Sequence, residues 1–161
     1  MHTLQKKAGG TISFYLSHKK AKSAGLTEVE TIGLRLYSGP GFINYNQVLR
    51  KLVEKKYITT IHAIVSGIIK LASIMKLPFD RNVWRGLSDI ELPEEFWNED
   101  EYGARGGVEF GIMSTTTNMK VAVQYSSHGG RPTVFKIEIG QVDRGAELNW
   151  ISVRNVKSQN T

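Results

Sequence analysis

Ile61, Ile64, Val65, Ile68, Ile69, Ala72 and Met75 recur at helical spacing and make a wide apolar stripe. The stripe predicts a helix over residues 60–75, with Thr59 or Thr60 placed to cap it and Pro78 marking its end. The same stretch is too short to span a bilayer and is broken by His62, Ser66, Gly67, Lys70 and Ser73. With 161 residues in all, the chain can bury such a face in a core of its own without a covalent staple. None is on offer, because cysteine is absent, which excludes disulfides, zinc–thiolate sites and a cysteine nucleophile.

A second helical pattern precedes the first. Phe42, Tyr45, Val48, Leu49, Leu52 and Val53 repeat with the same period, while Arg50, Lys51, Glu54 and Lys55 fill the other face, predicting a helix over residues 42–56. The short run 34–37 leads into the turn cluster Ser38-Gly39-Pro40-Gly41. Beyond residue 80 the texture changes. A short strand is expected at 82–86, an irregular connection at 92–107, a buried strand at 108–114 and a short helix at 119–125. Residues 133–139 alternate, Phe135, Ile137 and Ile139 on one face and Lys136 and Glu138 on the other, as a half-buried strand does; a further strand is expected to begin at 150–153. Helices followed by short strands predict an α+β fold with a mixed or antiparallel sheet.

Charge limits the range of partners. The formal net charge is +6, but Lys6, Lys7, Lys19, Lys20 and Lys22 crowd the first 30 residues against only Glu28 and Glu30, and Arg154 and Lys157 lie in the tail. Positive charge in weakly patterned ends reads as solvated termini rather than as a folded nucleic-acid face. Residues 1–30 are therefore expected to be a basic, weakly ordered segment ahead of a domain at 31–161. No apolar run follows the lysines of residues 1–10, which points to an intracellular, cytoplasmic setting, with secretion left to routes that need no such signal.

Two segments suit chemistry. Val83-Trp84-Arg85-Gly86 puts a forked cation at a strand end beside a backbone open to close approach, which fits a phosphate or pyrophosphate; an ordinary strand-end salt bridge is the plainer use. Phe110-Gly111-Ile112-Met113 runs into Ser114, Thr115, Thr116, Thr117 and Asn118, hydroxyls that can order a loop and position an acid, or simply cap the following helix through Thr117 or Asn118.

In chain order these pieces resemble the mono-ADP-ribosyltransferase family that modifies arginine. The resemblance rests on Tyr37-Ser38-Gly39-Pro40 through Asn46 and Leu49-Arg50, Trp84-Arg85-Gly86-Leu87, Gly106-Gly107-Val108-Glu109-Phe110 with Met113-Ser114-Thr115-Thr116, and Val142-Asp143-Arg144-Gly145-Ala146. It implies an ADP-ribosyltransferase-type sheet core and an NAD(P)+–protein-arginine mono-ADP-ribosyltransferase, a pentosyl-transferring enzyme with NAD as co-substrate, no metal, and a protein arginine as acceptor. By the same resemblance Arg85 holds the NAD phosphates, Gly86 the nicotinamide amide, and Ser114 orients the catalytic glutamate, with Thr115 and Thr116 completing the hydroxyl motif.

The family's Glu-x-Glu belongs about one strand beyond Trp150, where this sequence has no acid after Glu147, so the expectation is an active site truncated before that motif and little transferase activity. Glu28-Val29-Glu30 and Glu99-Asp100-Glu101 precede Ser114, and Glu138 stands alone on an earlier strand. A chain lacking its last strands is also expected to associate with itself through an unpaired sheet edge. Two other readings stay open: a non-catalytic NAD-binding or protein-interaction module, and, last, a nucleic-acid binder carried by the N-terminal lysines.

Overall fold

The structure is a computed structural model, and it describes residues 10–52, 55–128 and 130–153. It is α+β: helices α1 (Ile12–Leu16), α2 (Lys19–Ala24), α3 (Glu28–Tyr37), α4 (Phe42–Lys51) and α5 (Ile58–Ile74) come first, then strand β1 (Asn82–Ser88), helix α6 (Met119–Ser126) and strand β2 (Pro132–Glu138). Among the described residues no helix is long and apolar enough to cross a membrane. The chain divides into two compact units, one of Met1–Lys76 with Arg144–Thr161 and the other of Leu77–Asp143.

The first unit is helical, and it begins earlier than the charge pattern suggests. Residues 10–30, expected to be weakly ordered, carry α1, α2 and the start of α3. Side-chain caps account for this. The Thr11 side chain accepts from the Phe14 N–H, His18 from the Lys20 N–H, and Thr27 and Glu30 form a reciprocal capping box at the start of α3. Gly25 ends α2 in the left-handed conformation that glycine adopts without steric cost. The run 34–37 is thus the last turn of α3 rather than a separate element.

Tyr15, Ala21, Leu26, Leu34, Leu71 and Ile151 form the core of this unit. Helices α3 and α5 approach closely because Gly67 leaves room for Leu34: a Cβ at Gly67 would stand 3.0 Å from the Leu34 Cγ and Cδ1 atoms. Residues 150–153 make a turn instead of the expected strand. The Ile151 and Ser152 N–H groups bond back to the Leu148 carbonyl, and the Ile151 carbonyl accepts from Arg35 Nη1 at 2.7 Å. Those groups are spent locally, so Ile151 plugs the helical core instead of entering a ladder.

One charge is buried here. Glu30 accepts from Ser66 Oγ at 2.6 Å, from Lys70 Nζ at 2.8 Å and from the Thr27 N–H at 2.8 Å. Burial by itself would raise its pKa, but the hydrogen bonds from Lys70, Ser66 and Thr27 prevail and lower it to about 2.

Helix α4 stops at Lys51, short of the expected residue 56, and Leu52 takes up φ 57° after it. Helix α5 starts at Ile58 from Tyr57 at φ 59°, without a side-chain cap from Thr59 or Thr60. Left-handed backbone costs a bulky L-residue about 1–2 kcal/mol, a cost that falls on Leu52 and Tyr57 themselves.

The second unit holds the sheet. β1 and β2 pair antiparallel, with Arg85 opposite Phe135 and Gly86 opposite Val134. Strand sides alternate, so Trp84, Gly86 and Ser88 share one face while Val83, Arg85 and Leu87 share the other. The first of these faces is covered by α6. A Cβ at Gly86 would stand 2.0 Å from the Ala122 carbonyl oxygen, and Ser88 Oγ donates to the Tyr125 carbonyl at 2.6 Å. Residues 108–114 do not form the expected strand. Their apolar side chains Val108, Phe110 and Met113 are exposed, so no buried face rewards a ladder, and an isolated bridge between Thr116 and Trp84 is the pairing found nearby among the described residues.

Candidate functional site

Strand β1 has β2 along one edge, and its other edge is where the hydroxyl run arrives. The Trp84 N–H donates to the Thr116 carbonyl at 2.7 Å and the Thr116 N–H to the Trp84 carbonyl at 2.8 Å. Backbone groups alternate between the two edges of a strand, so Gly86, two residues on, turns its N–H and C=O to that same side. No backbone partner closes on the Gly86 N–H there among the described residues. Its missing Cβ is explained separately, by the closeness of α6.

Arg85 reaches over the same edge. Its Nη1 donates to the Ser114 carbonyl at 3.4 Å, a long bond, and the side chain is half-buried. No carboxylate forms an ion pair with it among the described residues. A guanidinium carries five donors; one long bond to a carbonyl leaves most of them for an anion. Two residues 29 positions apart in the chain are thus neighbours in space.

The other predicted residues divide. Ser114 and Thr115 are exposed and Thr116 is half-buried at the bridge. Thr116 Oγ1 accepts from the Asn118 N–H at 3.1 Å, and Asn118 Oδ1 accepts from the Lys120 N–H at 3.0 Å, capping α6. The hydroxyl run therefore orders the loop and caps a helix, and Asn118 rather than Thr117 is the cap residue. The edge would offer Arg85 to a diphosphate and the Gly86 backbone to a carboxamide, donor types that fit those parts of NAD.

The acids weighed for the Glu-x-Glu role have other partners or lie elsewhere. Glu30 is held in its capping box and by Lys70 and Ser66. Glu99 pairs with Arg105 at 2.6 Å, and Asp100 Oδ1 orders its loop by accepting from the Tyr102 and Ala104 N–H groups. Glu138 is opposite Asn82 at the far end of the ladder, on the α6 face and not that of Arg85. Glu109, which carries part of the resemblance without a role of its own, orders the segment ahead of the hydroxyl run by accepting from the Gly111 N–H at 2.7 Å; an acid two residues before a glycine is the local signal for it.

Of the lysines considered for nucleic acid, Lys6 and Lys7 lie outside the described residues, as do Arg154 and Lys157, and Lys20 is paired with Glu147. Comparison of the chain with known protein families, with curated proteins and with solved structures finds no match.

Proposed function

We propose that this protein binds NAD at the open edge of β1 and is an NAD(P)+–protein-arginine mono-ADP-ribosyltransferase in class. One observation carries the reading: Arg85, a half-buried cation with no acid in ion-pair reach among the described residues, lies over the edge to which Gly86 turns its amide. A guanidinium kept partly from water without a counter-charge is costly unless an anion completes it. The order of motifs from Tyr37 to Ala146 supports NAD as that anion.

In the transfer, the bond between the ribose C1′ and the nicotinamide nitrogen breaks, and its electron pair leaves with nicotinamide. A guanidino nitrogen of the acceptor bonds to C1′ and gives up a proton. Arg85 neutralises and orients the diphosphate, the Gly86 backbone orients the nicotinamide carboxamide, and the Thr116 bridge holds the hydroxyl loop against the strand. Orientation of this kind contributes to rate independently of any acid or base. Stabilising the cation-like transition state needs a carboxylate.

The partners that engage Glu30 and Glu99, and the place of Glu138 on the other face of the sheet from Arg85, favour a second reading, a module that binds NAD without transferring ADP-ribose. Incubation with labelled NAD and an arginine-rich acceptor separates the two. Label on the acceptor that disappears in Arg85→Ala supports transfer; NAD binding without label supports the module. Absence of both binding and label contradicts the proposal.

A further inference from the structure

Strand β2 has two edges, and β1 takes only one of them. The Ile139 N–H donates to the Arg81 carbonyl at 2.8 Å and so extends the ladder, which means that Thr133, Phe135 and Ile137 turn their N–H and C=O groups toward β1. Val134, Lys136 and Glu138 turn theirs to the opposite edge, where none has a backbone partner among the described residues. Lys136 and Glu138 are exposed, and neither forms an ion pair among the described residues. The Lys136 ammonium has a looser contact, 5.9 Å from the centre of the Trp84 ring. An open row of donors and acceptors of this kind is a template for another strand.

The residues along β2 say which strand fits. A twofold axis through this edge sets β2 antiparallel to the same strand of a second copy. Centring that pair on Val134 or on Phe135 places Pro132, which has no N–H, against a pairing residue. Centring it on Lys136 or on Glu138 sets identical charges opposite each other. Centring it on Ile137 does neither. Lys136 of each copy then stands opposite Glu138 of the other, and the two residues exchange both backbone hydrogen bonds while their side chains form an ion pair. On the other face Phe135 meets Ile139 and Ile137 meets its own copy, so half-buried apolar side chains cover one another. The ladder ends beyond Ile139, because the Gly140 N–H is already given to Asp143 Oδ1 at 2.8 Å.

We propose that β2 pairs with β2 of a second copy in the register centred on Ile137, joining two two-stranded sheets into one continuous sheet in a closed dimer. Lys136 and Glu138 select the partner, because their order along the strand is its own complement when reversed. The paired stretch is short, so the dimer is weak and its population follows protein concentration. Arg85 and Thr116 lie at the far edge of β1, and the contact does not depend on NAD binding.

Sedimentation velocity from micromolar to millimolar protein tests it, with charge exchange at the two positions. The expected result for the wild type is a monomer–dimer equilibrium that grows no further. Lys136→Glu sets acid against acid, and Glu138→Lys sets lysine against lysine, so each should weaken the dimer about tenfold or more. Both side chains are exposed, and circular dichroism verifies that each variant is folded. The decisive arms restore the complement. The double variant Lys136→Glu with Glu138→Lys should dimerise as the wild type does, although it lacks the lysine over Trp84. An equal mixture of the two single variants should form a mixed dimer, since each then faces opposite charges. A wild type that stays monomeric, as when another segment of the same chain covers the edge, overturns the proposal. So does association indifferent to both single exchanges, or a double variant and a mixture that stay monomeric.

Discussion

Glu30 and Arg85 are both charges drawn partly out of water, and they are treated in opposite ways. Glu30 is surrounded by donors: Ser66, Lys70 and the Thr27 backbone converge on its two oxygens within 2.6–2.9 Å. Among the described residues, Arg85 has a single long bond to a carbonyl. A fully satisfied buried charge is a structural device, because every group around it is used up in holding helices α3 and α5 together. A partly satisfied one is a place where the fold leaves donors for something else. The contrast argues for a site in the second unit and against one at Glu28-Val29-Glu30.

The largest effect that would sharpen this contrast belongs to Glu30. Its pKa, lowered from 4.5 to about 2, means that the folded state favours the ionised form, a linkage of about 3 kcal/mol at neutral pH. Because the folded value lies below the unfolded one, this stability is complete above pH 4.5 and drains away as the pH falls toward 2. Glu30→Gln should lower stability at neutral pH by about that amount and flatten the loss between those pH values, as read by chemical denaturation across pH. An unchanged acid limb in the variant would break the structural side of the comparison.

Next in size is Gly86→Ala. The added Cβ would meet backbone, the Ala122 carbonyl, at 2.0 Å. Backbone yields less readily than a side chain, so a loss of about 2 kcal/mol is expected from overpacking alone, visible as a lowered thermal midpoint. Arg85→Ala should behave in the converse manner. Stability should change by about 0.5 kcal/mol or less, since the half-buried side chain makes one long bond to a carbonyl and no ion pair among the described residues, while NAD affinity drops about tenfold or more with the loss of a charge-assisted contact. Arg85→Lys should recover only part of it, since a point charge lacks the fork. At the small end, Arg105→Ala removes an exposed pair with Glu99 and should shift stability by at most about 0.5 kcal/mol. A larger change would mean that the 99–105 loop supports more than itself.

The sequence exposed those elements whose apolar residues keep one period over enough length. Residues 60–75, 119–125 and 133–139 lie within a residue or two of α5, α6 and β2, because helical stripes and strict alternation survive without tertiary context. The N-terminal helices were hidden for a physical reason. They are five and six residues long, too short to show a stripe, and owe their ends to the side chains of Thr11 and His18. The apolar run 108–114 misled in the other direction, since exposed Val108 and Phe110 have no sheet to join. For the site, the residue types at Arg85 and Ser114 were readable in the sequence. Their adjacency was not, because it depends on a lone bridge between Trp84 and Thr116 that no local pattern encodes.

Calorimetric titration of NAD into the wild-type protein and into Arg85→Ala tests the central claim most directly. The account predicts saturable binding by the wild type, weakened about tenfold or more in the variant with the thermal midpoint unchanged. No heat with the wild type, or equal affinity in both proteins, would contradict it.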